Sequence, residues 1–482
     1  MPPPTLSLPG TAAPRTESSL LQADNSKLKT MPIAERILPA IRKTSAVLPA
    51  LFLVLLPTAG LAQISLSTAV NLAEKSSPGV RAAVANVQHA VAAVEETRDA
   101  YIPSFQVGTS PGYAYGFPLG YPALFSASSQ SLALSFSQPD YLRAARKALN
   151  AANLNLKDAQ QQVALDVALD YVELDHDLAE IAALDEEKAF AARLVSIEQD
   201  RVQAGVDPRV SELQVELTAA QADEKRIHLQ NDADEMRQKL AHLTGLPTDG
   251  LVTVTNSIPV TPSFSTDAAQ SAPESNPGIA AAYANSQSKF YQAFGASREN
   301  YRPTVVFGAQ YSLFSKINNY NQYFRSFQYN NAAIGVQVTF PLFDASKRAK
   351  ARESTAEAVA AQATADQSRD NLSEQTLLAR RTILELGADQ RVAEIQSELA
   401  QEQLKTVDAE LTSGPGSATA QPVSPIAAQK AHIDEREKYE DLLDSKFSLM
   451  KVELNLLRMT GQIDDWVRSS LKQGLAGPVP AS

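Results

Sequence analysis

The chain has 482 residues, 43 basic against 54 acidic side chains, a net charge of −11 and no cysteine. This acidic balance does not favour nucleic acid as a partner, because binding to phosphates needs clustered Lys and Arg. Without cysteine the protein has no disulfide bond, no cysteine-based metal site and no cysteine that could carry a lipid anchor.

Residues 1–62 have the pattern of a secretory signal peptide. Basic residues between positions 36 and 43 precede the apolar run 46–56, and small residues lead up to Gln63. The apolar run is too short to cross about 30 Å of hydrocarbon. Because a signal of ordinary length would begin near Met31, we predict Met31 as the native start.

Beyond the signal, the period of the apolar residues changes along the chain. Helical spacing predicts a helix over Leu66–Ala100, which Pro78-Gly79 interrupts near its start. Alternation then predicts strands at 105–110 and 132–136, joined by a loop at 112–129. Each strand has one apolar and one small or polar face, which suits a tilted strand crossing an outer membrane.

Two long helices follow the strands. Residues 142–204 contain neither Gly nor Pro and predict one helix of roughly 95 Å. Apolar residues spaced by seven within it indicate a coiled coil. Gly205-Val206-Asp207-Pro208 predicts a tight turn, after which a second helix returns to about His242.

The same order of elements comes again about 200 residues later, which indicates a duplicated half rather than a short repeat. Strands are predicted at 305–312 and 334–340, and helices at 344–411 and from the turn at 413–416 to Met459. The predicted organisation is a signal peptide at 1–62, a first repeat at 63–265, a second repeat at 266–465 and a flexible tail at 466–482.

Four strands cannot close a membrane barrel alone. About eight strands are the minimum, and an open sheet edge in lipid leaves backbone groups unpaired at several kcal/mol each. A hairpin of such length with narrow apolar seams cannot bury itself either. Identical neighbours would solve both problems, so the sequence predicts a cyclic oligomer with strands closing a barrel above and helices forming a tube below.

These features resemble the TolC family of outer-membrane efflux proteins. The resemblance extends over residues 65–465 and depends on a set of features in a fixed order. They are the doubled helix–strand–strand–hairpin layout, the strand ends Gln138-Pro139 and Phe340-Pro341-Leu342-Phe343-Asp344, the turn Arg201-Val202-Gln203-Ala204-Gly205-Val206, and the closing Leu243-Thr244-Gly245 and Met459-Thr460-Gly461.

The resemblance implies a mainly α fold with membrane β-structure. Long coiled-coil helical hairpins would form an α-barrel in the periplasm, and four transmembrane strands per protomer would complete a twelve-strand β-barrel in a homotrimer. It further implies the outer membrane of a Gram-negative-type bacterium, a periplasmic adaptor (membrane fusion protein) and a proton-driven or ATP-driven inner-membrane pump as partners, and a passive exit duct for efflux or type I secretion.

In that family the hairpin ends close the tunnel and contact the adaptor. The matching positions are Arg201, Gly205, Val206, Asp207, Gly414, Pro415 and Gly416. Family members carry acidic residues just after the second turn, whereas 423–427 here contains none. The acids that would line the constriction in their place are Asp207, Glu212, Asp408 and Glu410.

The sequence indicates no enzyme, no cofactor and no metal site. Nucleophile-elbow, phosphate-loop and paired-histidine zinc patterns do not occur. Glu173-Leu174-Asp175-His176 has the Glu-x-x-His spacing of di-iron bundles, but such a site needs a second copy. We interpret this run as a surface acidic segment with a chance histidine.

Two other functions compete with the channel. A soluble periplasmic coiled-coil adaptor explains the hairpins and the signal but not the four alternating strands. An uptake porin explains the strands but not the long helices. Within the leading hypothesis, drugs, metal ions, polypeptides and glycans all stay open as cargo.

Overall fold

The computed structural model describes residues 62–111, 123–248, 251–262, 264, 275–314, 328–413 and 424–475. The predicted signal peptide, apart from its last residue, and Met31 lie outside the described residues. So do Gly414, Pro415 and Gly416 of the second predicted turn.

The first half of the chain contains a short strand, two helices, two strands and a long helical hairpin. The elements are β1 Ala62–Ile64, α1 Leu66–Ser76, α2 Pro78–Asp99, β2 Ser104–Gly108, β3 Ala123–Ser135, α3 Gln138–Gln203, α4 Arg209–Thr244 and β4 Leu251–Thr253, with a single 3₁₀ turn at Thr255–Ser257. Strand β3 begins earlier than predicted, because the serine-rich segment 126–131 pairs with a strand of the second half.

The second half follows the same order. Its elements are α5 Pro277–Glu299, β5 Thr304–Phe314, β6 Asn330–Thr339, α6 Ala345–Ser413, α7 Pro425–Met459 and α8 Ile463–Leu475. The longest helices, α3 and α6, have 66 and 69 residues, so each extends over roughly 100 Å. Among the described residues, no helix combines the length and the hydropathy needed to cross a membrane.

Four strands form one antiparallel sheet in the order β2-β3-β5-β6. The central contact, β3 with β5, joins the two halves of the chain and runs from Ala123 opposite Phe314 to Ser135 opposite Thr304. Strands β2 and β6 lie at the two edges of the sheet, and neither has a second strand partner within the described chain.

Helix α3 is the centre of the helical part. It packs against α4, α5 and α7, while α6 packs against α5 and α7. The main core lies where α1, α3, α4, α7 and α8 meet, and its largest fully buried side chains include Tyr171, Leu174, Leu240 and Leu457.

The parallel pair β1 and β4 is a feature that the sequence did not predict. Tyr171 of α3 holds it in place: its hydroxyl accepts a hydrogen bond from the Val254 amide at 2.7 Å and lies 2.7 Å from the Ile64 carbonyl. A strand of three residues is too short to show a periodic pattern in the sequence. Tyr171, the side chain that holds the two strands, is distant from both of them in the sequence, so it gives no local signal either.

The prediction of a flexible tail from residue 466 is wrong for the part that the structure describes. Residues Ile463–Leu475 form α8, and Trp466 and Val467 are buried in the main core. Gly461 adopts a left-handed φ of 73° between α7 and α8, which lets the chain turn back and insert these apolar side chains. Residues 476–482 lie outside the described residues.

Helices α3 and α5 approach closely at Gly295. A Cβ atom there would lie 2.7 Å from Cε1 of Tyr141, and the Tyr141 hydroxyl donates a hydrogen bond to Glu299 at 3.0 Å. The Tyr141 ring lies against Gly295 and is held by its hydrogen bond to Glu299, so it has little freedom to move away from an added Cβ.

We expect Gly295→Ala to destabilise the protein. Overpacking of this kind costs about 1–3 kcal/mol, whereas alanine gains about 1 kcal/mol over glycine inside a helix. Thermal unfolding followed by circular dichroism measures the change. Gly387→Ala in α6 is the control, because a Cβ there meets nothing within 4 Å, and a gain in stability is expected. Equal stabilisation by both substitutions would contradict the close approach.

Candidate functional site

The sheet has two chemically different faces. Directly paired residues lie on one face, so the register assigns every side chain to a side. The apolar face carries Phe105, Val107, Val305, Phe307, Ile334, Val336 and Val338, and the opposite face carries Gln106, Gln130, Gln310, Ser312 and Gln337. In the single protomer the apolar face is open, since Phe105 is 73% and Ile334 78% exposed.

The first hairpin end is a compact turn. Helix α3 ends at Gln203 with Ala204 as its C-cap, and Gly205 has a left-handed φ of 71°. The amide of Val206 donates to the carbonyl of Arg201 at 2.9 Å and that of Gly205 to Val202 at 3.0 Å. This is the Schellman arrangement, which satisfies the last carbonyls of the helix and favours glycine at its left-handed position.

An ion pair closes the same turn. Arg201 donates a hydrogen bond to Asp207, which lies just before Pro208 at the start of α4. The hydrogen bond from Arg201 holds the pKa of Asp207 below its usual value. Asp207 is therefore ionised and engaged within its own turn, while Val206 beside it is 61% exposed.

The other predicted constriction acids lie apart from this pair. Glu212 is half-buried in the first turn of α4. Asp408 and Glu410 are exposed near the end of α6, and Asp408 lies 3.8 Å from Nε2 of His432 on α7. The structure therefore brings Arg201, Gly205, Val206 and Asp207 together and leaves the α6 acids on a separate helix.

A half-open groove of about 460 Å³ lies near the hairpin ends, between α3, α4 and α7. Its lining combines apolar and charged side chains, among them Leu194, Asp207, Val215, Lys430 and Ile433. The sequence prediction did not identify this groove, because its walls come from both hairpins.

Helices α4 and α6 each carry a stripe of exposed apolar side chains. On α4 the stripe is Val210, Leu213 and Leu217, and on α6 it is Val392, Ile395 and Leu399, each at least 50% exposed. The spacings of three, four and seven residues put each set on one helix face. These stripes are the uncovered seams of a coiled coil.

The prediction of a surface histidine at position 176 is wrong. The His176 side chain is only 10% exposed and stacks on Phe447 of α7 with ring centroids 4.7 Å apart. Its Nε2 atom lies 3.4 Å from Glu180 and 3.1 Å from Asp444. Burial lowers the pKa of His176, but the hydrogen bond to Asp444 and the nearby carboxylates raise it overall above its ordinary value.

His176, Glu180 and Asp444 are the described residues best placed to hold a metal ion, with ligand atoms within 4.8 Å of one another. However, the second carboxylate oxygen of Glu180 already pairs with Nζ of Lys225 at 2.7 Å. An ammonium group so close repels a divalent cation, and a protonated histidine satisfies the same carboxylates. The cluster therefore fits an ion-pair network better than a resident metal.

This network extends along α3, α4 and α7. Lys225 of α4 also lies 2.7 Å from Glu440 of α7, which is 3% exposed. Glu187 of α3 is 5% exposed and neighbours Glu440. Glu180 and Glu187 are seven residues apart, as positions on one coiled-coil face are, and this spacing is the sequence signal that could have revealed them.

The first half of the chain matches a known protein family. Residues 69–246 match the family "Outer membrane efflux protein". Comparison with curated proteins gives no match.

Solved structures of outer-membrane channels share the fold. The CmeC outer membrane channel of Campylobacter jejuni aligns with a TM-score of 0.67 at 13% identity, over 85% of this chain and 89% of that chain. The outer membrane protein VceC of Vibrio cholerae aligns with a TM-score of 0.65 at 16% identity, over 82% and 96%. The open state of the MtrE outer membrane channel of Neisseria gonorrhoeae gives 0.63 at 16% identity, over 82% and 89%.

We expect Gly205→Ala to loosen the first hairpin end. A left-handed conformation costs a residue with a Cβ about 1–2 kcal/mol, and a turn that relaxes to avoid this cost uncaps the last carbonyls of α3. Gly205→Asn is the matched variant, because asparagine tolerates this conformation better. Limited proteolysis at the turn and thermal unfolding measure the effect, and cleavage of the two variants at the same rate would contradict it.

Proposed function

We propose that this chain is an outer-membrane efflux protein and the passive exit duct of a tripartite efflux or type I secretion complex, because residues 69–246 match that family and the fold is that of outer-membrane channels. Its sheet lies in the outer membrane and its helices extend into the periplasm. Substrate would cross the lumen of a homotrimer, and the energy would come from an inner-membrane pump.

The observation that carries this proposal is a two-faced sheet with two open edges. Lipid accepts the apolar face, and an aqueous lumen accepts the Ser, Gln and Gly face. Among the described residues the outer edges of β2 and β6 have no strand partner, and lipid does not tolerate unpaired backbone groups. Three copies would join β6 of one protomer to β2 of the next and complete twelve strands.

The exposed stripes of α4 and α6 support the same closure. They lie on the outer helices of each protomer, whereas α3 and α7 pack on each other inside it. Neighbouring protomers would cover both stripes, because a coiled-coil seam is stable only against a partner helix. The two predicted repeats, 63–265 and 266–465, would then each contribute two strands and one hairpin to the ring.

For the hairpin ends we propose the role of adaptor contact. Gly205 and exposed Val206 would form the first contact, stiffened by the pair between Arg201 and Asp207. Gly414, Pro415 and Gly416 would form the second. Among the proposed constriction acids, Asp408 and Glu410 have the most accessible carboxylates, whereas Asp207 is engaged with Arg201 and Glu212 is half-buried.

A soluble adaptor is the less favoured function. Its surface would have to keep Phe105, Ile334 and Val336 in water, together with two open strand edges. Such a sheet would aggregate in solution.

We expect Ile334→Lys to prevent stable membrane assembly. A lysine facing lipid costs about 2–4 kcal/mol near the bilayer midplane. Ala333→Lys is the matched control, since Ala333 is adjacent in β6 but lies on the polar face. The control should assemble and alter single-channel conductance in planar bilayers. If both variants assemble and conduct like the wild type, the assignment of the faces is wrong.

We expect cysteine pairs across β2 and β6 to link three chains. The native chain has no cysteine, so Gln106→Cys can be combined with Ala333→Cys, Gly335→Cys or Gln337→Cys in turn. At the correct register the Cα atoms approach within disulfide range and oxidation gives covalent dimers and trimers on denaturing gels. Gln106→Cys alone cannot extend beyond two chains. Failure of every pair to reach three chains would argue against closure by β2 and β6.

A further inference from the structure

The two hairpins of one protomer meet through buried charges. Glu180 and Glu187 of α3 and Glu440 of α7 are 2%, 5% and 3% exposed. They lie away from the hairpin ends and away from the sheet, and the proposed transport function assigns them no role. Three carboxylates in such a place need compensation, because burial of an unpaired charge is costly.

Lys225 of α4 compensates two of them. Its Nζ atom donates to Glu180 and to Glu440, each at 2.7 Å. Hydrogen bonds to these carboxylates raise the pKa of Lys225 despite its partial burial, so Lys225 is charged at every physiological pH. His176 contacts the other oxygen of Glu180. Both oxygens of Glu180 and one of Glu440 are therefore satisfied.

One oxygen of Glu440 and the carboxyl of Glu187 are left over. Oε1 of Glu440 is buried and has no hydrogen-bond donor among the described residues. The groups that face Glu187 are Glu437 and Glu440 from α7 and Lys225 from α4. Lys225 already donates to Glu440 through Oε2, and a second carboxylate cannot donate. Glu187 can supply the missing hydrogen bond only as a neutral carboxylic acid.

We propose that Glu187 and Glu440 bind one proton between them, and that this proton holds the two hairpins of a protomer together. In the protonated state the Glu187 hydroxyl donates to Glu440, and the contact between α3 and α7 holds one buried negative charge fewer. Loss of the proton puts two carboxylates side by side in a buried position, and the contact weakens. The site is a proton-binding latch between α3 and α7.

The titration range follows from the surroundings. Burial, then the charges of Glu440 and Glu437, raise the pKa of Glu187 from 4.5 to about 7. Because the folded state binds the proton more tightly than the unfolded state, the stabilisation is complete below pH 4.5 and is lost as pH rises through 7. Across that window the folding equilibrium constant should fall by roughly tenfold for each pH unit per protomer.

Three other groups titrate nearby and must be separated from this one. Burial raises the pKa of Asp170 and of Asp177 to about 6, and the hydrogen bond to Asp444 with the nearby carboxylates raises the pKa of His176 against the effect of burial. All three lie on α3 nearer the main core. A comparison of variants at Glu187 isolates the latch, since these three groups are common to all of them.

The test compares Glu187→Gln with Glu186→Gln in the full-length oligomer. The glutamine amide introduced by Glu187→Gln keeps an N–H donor for Glu440 at every pH. The thermal unfolding midpoint of this variant should therefore match the wild type at about pH 5 and exceed it at about pH 8. Glu186 is 62% exposed and paired with Arg436, and its variant should keep the wild-type pH dependence. A purely structural role for Glu187 would lower stability at both pH values.

Infrared spectroscopy reads the proton directly. At about pH 6, below the raised pKa of Glu187, the wild type should show a protonated-carboxyl component in addition to that of Asp170 and Asp177, which Glu187→Gln lacks and Glu186→Gln retains. Glu440→Gln should shift the loss of this band to lower pH, which keeps the proposal testable if one variant fails to assemble. A band unchanged in Glu187→Gln, or equal pH dependence of unfolding in all variants, would overturn the proposal.

These measurements do not depend on transport. If the protein failed to conduct ions, the proposed duct would be wrong, but Glu187 could still titrate as described. If Glu187 failed to titrate, the latch would be wrong, but conductance would still test the duct. Should the hairpins separate when the proposed duct opens, opening would be easier above the pKa of Glu187, about 7, than below it.

Discussion

The outer edges of β2 and β6, which have no strand partner in the part of the chain that the structure describes, are the constraint on which the rest of the structure depends. In water such edges invite aggregation, and in lipid each unpaired group costs several kcal/mol. A four-stranded sheet with one apolar face is therefore incomplete as a single chain. The helical part is incomplete in the same way, because α4 and α6 expose apolar stripes on their outer faces. One ring of identical copies would satisfy both parts.

Local sequence chemistry predicts the elements that depend on few distant contacts. A long run without Gly or Pro predicts α3, and a similar run that contains only Gly387 predicts α6. Gly205 followed by Pro208 predicts the first turn, which the structure places where expected. Alternation identifies β5 and β6. It fails for the start of β3, where consecutive serines contribute no apolar signal and pairing with β5 decides the conformation. It also fails for β1, β4 and α8, which are fixed by Tyr171 and by burial of Trp466.

Side-chain networks between helices are harder to predict than the helices themselves. The Glu-x-x-His spacing describes one helix, but Asp444 and Phe447 of α7 determine the surroundings of His176. Glu187 likewise acquires its properties from Glu440 and Lys225, which lie on two other helices. The register between helices sets these contacts, and a single sequence does not give that register. The candidate residues of the first turn, by contrast, are contiguous, and the structure brings them together directly.

The small parallel sheet has a consequence for the order in which the chain acquires structure. Strand β1 precedes nearly all of the first half, and its partner β4 follows α4. A polypeptide that emerges with its N-terminus first therefore delivers β1 long before β4 can pair with it, and Tyr171, which contacts both strands, lies between them in the sequence. Pairing of β1 with β4 thus marks the moment when the first hairpin has been delivered in full, and an early segment must be kept from wrong partners until then.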